Sequence, residues 1–282
     1  MSIVDWAAFT LPIAYSEFQP SEHAFRQRII KVTEQLLQIM PTVMKHSVDD
    51  LLVAKAQRPY RRAWACPNTG WRINADWKRR EVLIVFNGGA CEQLRKMGAQ
   101  AQQEVLLQVA DTGTRLDLAT DIPSTVSPKE VSDAGWSGRI KSTSLIMSSM
   151  GVTLYIGSRK SNAFSRVYRY LPPHPRQSLL RVEHEMKKDQ ARAVASIAAI
   201  HSIDIAQRSV AHKFDYQHPL LTQTFEGSHR PIKTERVDRT LARTEIWLMS
   251  QAAPAFQRLV REGVITDPRA WVERYMLGGK DK

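Results

Sequence analysis

TRLDLATD (residues 114–121) and LLRVEHEMK (residues 179–187) decide how this 282-residue chain is read. In an extended strand, side chains at i, i+2 and i+4 share a face. The first stretch therefore sets Asp117, Ala119 and Asp121 on one side and Leu116, Leu118 and Thr120 on the other. The second sets Arg181, Glu183, Glu185 and Lys187 against Leu180, Val182, His184 and Met186. Both predict strands with one apolar and one charged face. If they are neighbours, up to four carboxylates converge. Acids that close raise one another's pKa unless a cation sits between them, and oxygen ligands in that number suit Mg2+ or Mn2+. The same alternation also fits a solvent-facing sheet whose acids pair across strands with Arg115, Arg181 or Lys187.

Between the two acidic strands lies GVTLYIGSRKSNAFSRVYRY (151–170), which predicts strands over 152–159 and 164–171 and holds Tyr155, Tyr168 and Tyr170. Tyr168 and Tyr170 face one side. A tyrosine oxygen attacks a phosphodiester only where the attacking and departing oxygens are stabilised, as a divalent ion and guanidinium groups do. A tyrosine in a strand also serves as an amphipathic core residue with its hydroxyl at the edge.

Working outward, residues 4–11 read as a first strand ending at Pro12. Ser21 caps a helical stripe of Ala24, Phe25, Ile29, Val32, Leu36 and Ile39, stopped by Pro41. Residues 64–86 alternate short strand-like runs with turn residues, and 92–110 read as a helix weakened at Gly98. Beyond Lys188, Val194, Ile197, Ile200 and Ile203 keep helical step, followed by a polar, exposed connection at 225–233. A helix carrying Leu241, Leu248, Ala252, Phe256 and Leu259 then bends at Pro254 and ends at Gly263. Asp267 and Pro268 open the last helix. The expectation is an α+β fold, with an antiparallel sheet bearing the site on one face, helices on the other and a helical C-terminal part. Residues 1–188 would form the catalytic, DNA-binding domain, and 189–282 a mainly helical region packed on it.

Lys plus Arg number 40 against 28 Asp plus Glu, a formal charge of +12. Such a surface attracts polyanions, and basic residues dispersed along the chain, not gathered beside an apolar anchor, favour nucleic acid over membrane. With no cationic leader and no apolar run of about 18 residues, the expected location is cytoplasmic. Two cysteines, Cys66 and Cys91, exclude a disulfide framework or a cysteine-rich zinc site and read as small core residues. There is no GxxxxGK[ST] phosphate loop for ATP-driven unwinding. Tyr275 has no histidine and arginine signature before it, which disfavours a tyrosine recombinase.

The RLDLATD strand (115–121), the GVTLYIGSRKSNAFSRVY stretch (151–168) and RVEHEMK (181–187), in this order and spacing, resemble the replication initiation factor family of plasmids and phages. These are the Rep_trans rolling-circle initiators, with related relaxases. DWAAFTLP near the start and NGGAC at 87–91 are similar to that family's first strand and its glycine-containing turn before a helix. The resemblance implies a metal-dependent nick at origin DNA, single-stranded or hairpin-extruded, with a tyrosine joined to the 5′ phosphate and a free 3′ hydroxyl left to prime synthesis. Tyr168 occupies the nucleophile's place. Asp117, Asp121 and Glu183 occupy the places of the metal-associated acids, with either Asp117 or Asp121 in direct contact, and Glu185 lies in an outer position. Arg159, Lys160, Arg166, Arg181 and Lys187 would contact DNA. A host helicase and a homodimer are implied partners. After the tyrosine this chain has Arg169 and Tyr170 where the family commonly has an acidic or amide residue and then lysine, which leaves Tyr170 as an alternative nucleophile. The paired histidines of HUH endonucleases, one residue apart, occur nowhere among the eight histidines.

Overall fold

A computed structural model describes residues 2–12, 52–67, 70–76, 81–137, 140, 142–149, 151–170, 178–234 and 253–275. Among these, ten strands form one antiparallel sheet. They are β1 (Ser2–Pro12), β2 (Leu52–Ala54), β3 (Arg62–Ala65), β4 (Arg72–Ala75), β5 (Glu81–Phe86), β6 (Gly113–Pro123), β7 (Thr143–Ser148), β8 (Gly151–Ile156), β9 (Ala163–Tyr170) and β10 (Leu179–Lys187). Their order across the sheet is β2-β3-β4-β5-β1-β6-β10-β9-β8-β7. The two acidic strands are hydrogen-bonded neighbours at the centre, with Asp121 opposite Arg181 and Asp117 opposite Glu185.

Period-two alternation is realised on both central strands. Leu116, Leu118, Leu180, Val182 and Met186 are fully buried on one face. They join a core with helices α1 (Gly88–Met97), α2 (Ala99–Thr112), α3 (Pro128–Ala134), α4 (Asp189–Ile200) and α5 (Ile203–Phe214), through Leu94, Val105, Val109, Val131, Val194 and Val210. Burying each such side chain contributes roughly 1.5–3 kcal/mol, so the apolar face fixes which way the charged face must point. Cys66 and Cys91 are both buried, as small core residues.

Helix boundaries follow local capping chemistry. Asn87 accepts the amide of Ala90, so α1 starts at Gly88, ahead of the expected residue 92. Gly98, at φ +107°, divides the expected single helix into α1 and α2, a backbone conformation that costs glycine least. The helix expected to run through Ile203 is also two, because the Ser202 hydroxyl accepts the amide of Ile205 and caps α5. Such a side-chain acceptor satisfies an amide that the first turn leaves unpaired. Strands β2 and β7 and helices α3 and α6 (Pro219–Thr224) were not anticipated.

The chain divides into two compact units, residues 1–234 and 235–282. Helices α4 and α5 pack with β6 and β10 in the first unit. In the second, α7 (Ala253–Arg261) and α8 (Pro268–Tyr275) are joined through Gly263, and the Asp267 carboxylate accepts the amide of Ala270 to cap α8. Phe256 packs against Trp271 at 5.3 Å. The expected helix of Ser21 to Ile39, and the positions Leu241, Leu248 and Ala252, lie outside the described residues. Among the described residues no helix is long and apolar enough to cross a membrane.

Candidate functional site

The strand registers stack the chemically active side chains in rows across the face opposite the helices. Trp6, Asp117, Glu185 and Phe164 form one row over β1, β6, β10 and β9. Ile3, Ala119, Glu183, Arg166 and Tyr155 form the next, reaching β8. Asp121, Arg181, Tyr168 and Thr153 form the third. A register shift between Val4 and Trp6 interrupts the β1–β6 pairing. Such a bulge re-aims side chains, and here Asp5 reaches Arg181 while Trp6 lies under Arg115.

Two groups of charges result. In the inner one, Arg115 grips both Asp117 oxygens, its Nε lying 2.8 Å from Oδ1, and its Nη2 is 2.8 Å from Glu185 Oε2. Lys187 binds the other Glu185 oxygen at 2.9 Å. Arg166 Nη2 donates to Glu183 Oε1 and stands 3.6 Å from Asp117 Oδ2. The Tyr168 hydroxyl donates to Glu183 Oε2 at 3.0 Å. In the outer group, Arg181 makes a two-pronged pair with Asp121, at 2.6 and 2.7 Å, and reaches Asp5 at 3.3 Å. Its guanidinium lies 3.7 Å from the centre of the Tyr170 ring.

Desolvation dominates the electrostatics of Asp117. The Asp117 side chain is 1% exposed, and burial pushes its pKa up, with Glu183 and Glu185 adding to the rise and Arg115 opposing it. Burial and the charge of Glu183 likewise raise the Tyr168 hydroxyl well above the usual phenol range, against the pull of Arg181. At neutral pH Tyr168 therefore carries its proton, and Glu183 holds it. On the helix side of β10, His184 is wholly enclosed. Its Nε2 is 2.9 Å from the Tyr216 hydroxyl, which is 2.6 Å from Ser165 Oγ, and its ring stacks on Phe214 at 5.0 Å. Burial brings its pKa down to about 4, outweighing the opposing influence of Gln207.

The structure thus brings together Tyr168, Glu183, Asp117, Glu185, Arg166 and Lys187. It places Asp121 apart, saturated by Arg181, and it places Glu185, expected in an outer position, beside Asp117 under a shared guanidinium. Tyr170 lies under Arg181, one step along the strand from the acids. Of the basic residues expected at DNA, Arg159 and Lys160 are exposed in the turn between β8 and β9, whereas Arg166, Arg181 and Lys187 are engaged with carboxylates. Arg115 was expected only as a surface partner. Asp5 and Trp6 were not among the expected site residues.

Carboxylate oxygens are the right donors for a hard divalent ion such as Mg2+ or Mn2+. As the side chains stand, no group of three or more His, Cys, Asp or Glu among the described residues is arranged to hold a metal. The reason is visible in the contacts: each inner acid is closed by a basic side chain. The Nε of Arg166, by contrast, is buried without a hydrogen-bond partner. Asp117 and Glu183, both within reach of the same Arg166 nitrogen, are the acids that fit a shared cation. No family model matches the chain, and no curated protein matches it.

Proposed function

We propose that this chain cuts and rejoins one strand of DNA through Tyr168, as a rolling-circle replication initiator. The observation that carries the proposal is the hydrogen bond from the Tyr168 hydroxyl to Glu183, on a sheet face where Glu183 shares a cation with the buried Asp117. A phenol that donates to a carboxylate has its proton acceptor in place. The Tyr168 oxygen forms a bond to phosphorus, its proton passes to Glu183, and the bond from phosphorus to the 3′ oxygen breaks, the departing oxygen taking a proton from water to leave a 3′ hydroxyl. In the reverse displacement the 3′ hydroxyl attacks phosphorus and gives its proton to water, the Tyr168 oxygen departs and takes back the proton from Glu183, and the strand is resealed.

Asp117 and Glu183 would hold a divalent ion, Mg2+ or Mn2+, which when bound supplies positive charge beside the entering and leaving oxygens. Arg181, poised between Tyr168 and Tyr170, lowers the cost of forming the phenolate. Arg159 and Lys160, exposed in their turn, grip phosphates and position the strand. The substrate is origin DNA in single-stranded or hairpin form, in the cytoplasm, with duplex opening left to a host helicase.

Incubating the chain with Mg2+ and a labelled origin oligonucleotide should leave a covalent adduct that is absent in Tyr168→Phe and retained in Tyr170→Phe. The converse pattern would move the nucleophile to Tyr170. A second function has its own support: the three inner acids are balanced one for one by Arg115, Arg166 and Lys187, as in a purely structural ion-pair network. On that footing the chain binds DNA as a regulator and never cuts it, and salt-sensitive binding with no adduct at any metal concentration would select it.

A further inference from the structure

Resting on the function proposed above, we infer that Arg166 is an exchangeable counter-cation. Its guanidinium holds the place of a divalent ion between Asp117 and Glu183 and swings to the DNA phosphate when both ligands arrive, so that metal and DNA bind cooperatively.

Charge balance motivates the exchange. Asp117, Glu183 and Glu185 are nearly inaccessible to water, with side chains 1%, 3% and 7% exposed. Three cations, Arg115, Arg166 and Lys187, neutralise them. A divalent ion added to this set meets three like charges at close range, so it enters readily only if one of the three leaves.

The contacts identify which one. Arg115 holds both oxygens of Asp117, also holds Glu185, and lies 4.6 Å over the Trp6 ring. Lys187 is tied to Glu185 and, at 2.6 Å, to the carbonyl of Arg159. Arg166 engages both of its acids through the single nitrogen Nη2 and lies 5.9 Å from the Phe164 ring, farther than Arg115 from Trp6, while its buried Nε has no partner. A buried donor left unpaired is a standing cost, and Arg166 is therefore the inner cation with least to lose on moving.

The same position supplies its destination. Arg166 stands two residues before Tyr168 on the same face of β9 and opposite Tyr155 of β8, whose ring carries the guanidinium of Arg159 at 5.5 Å. A phosphate brought to the Tyr168 hydroxyl by the exposed Arg159 and Lys160 lies on the side towards which Arg166 would turn. A phosphate offers a guanidinium two acceptor oxygens at once, whereas the second oxygen of Glu183 is held by Tyr168 and both oxygens of Asp117 are held by Arg115. Because each ligand removes an obstacle to the other, their binding is linked and the linkage is reciprocal.

The test measures Mn2+ binding to the full-length chain by the paramagnetic resonance of the free ion, with and without an oligothymidine single strand. The strand should tighten Mn2+ binding at least about 5-fold, within the range usual for coupled sites. Arg166→Gln should bind Mn2+ on the order of 10-fold more tightly than the parent without DNA, and the strand should then add almost nothing. If Glu183→Gln abolishes Mn2+ binding but Arg166→Gln binds no better than the parent, the acid site stands and the exchange is wrong. If Mn2+ does not bind, or binds Glu183→Gln as well as the parent, the proposed metal-dependent function falls and the exchange with it. Should Arg166→Gln fail to fold, the parent alone decides, since Mn2+ affinity unchanged by the strand overturns the exchange.

Discussion

Acidification should destabilise this protein through His184, and the amount follows from its surroundings. The ring is fully enclosed, stacked on Phe214 and bonded through Nε2 to Tyr216. Burial holds its pKa at about 4 instead of the ordinary 6.5. As the pH falls below 6.5 the unfolded chain takes up a proton that the folded chain refuses, so stability declines until the folded pKa is reached and then levels off. One proton changes the unfolding free energy by about 1.36 kcal/mol per pH unit, and the window from 6.5 to 4 gives a loss of about 3 kcal/mol. That is a sizeable share of the roughly 5–15 kcal/mol typical of a folded domain. For a unit of this size it amounts to a melting temperature lower by roughly 6–12 °C. Other carboxylates titrate in the same range, so the measurement is a difference: urea unfolding followed by tryptophan fluorescence at several pH values, for the parent and for His184→Phe. The replacement ring suits a cluster already built of Phe214, Tyr216 and Phe225, and it cannot be protonated. The stability of His184→Phe relative to the parent should rise by about 3 kcal/mol between pH 7 and pH 4. A flat difference would mean that His184 is protonated in the fold, and the account of this cluster would be refuted.

Three further outcomes are expected. In Gly113→Ala the new Cβ would meet the Val109 carbonyl oxygen at 2.2 Å. Backbone at the junction of α2 and β6 must then shift, and unfolding free energy should fall by about 2 kcal/mol in a urea titration. Arg181→Lys keeps the charge but gives up the forked pairing with Asp121 and the flat contact with Tyr170. A loss of about 2 kcal/mol is expected, and an unchanged unfolding midpoint would show that neither contact contributes. Arg159→Ala and Lys160→Ala should each weaken binding to single-stranded DNA of any sequence and reduce the slope of log affinity against log salt by about 1. A slope unchanged in both would remove the turn from the DNA path.

The two faces of the central strands were legible from local pattern alone. Alternation in TRLDLATD and LLRVEHEMK is a local property of the extended backbone, so the placing of Asp117, Glu183 and Glu185 opposite Leu118, Val182 and His184 needed nothing beyond counting by twos, as did the shared side of Tyr168 and Tyr170. Adjacency came only with folding. Strand β10 pairs with β6 some 60 residues earlier in the chain, and neither strand's alternation specifies its partner or its register. That register puts Asp121 opposite Arg181 and leaves it outside the inner acids, sets Glu185 beside Asp117, and gives the Tyr168 hydroxyl to Glu183 while the Tyr170 ring goes to Arg181. The bulge that brings in Asp5 and the choice of which basic residue closes which acid belong to the same class. A long side chain's partner is settled by distances across strands, and those distances exist only once hydrophobic burial on the far face has locked the sheet.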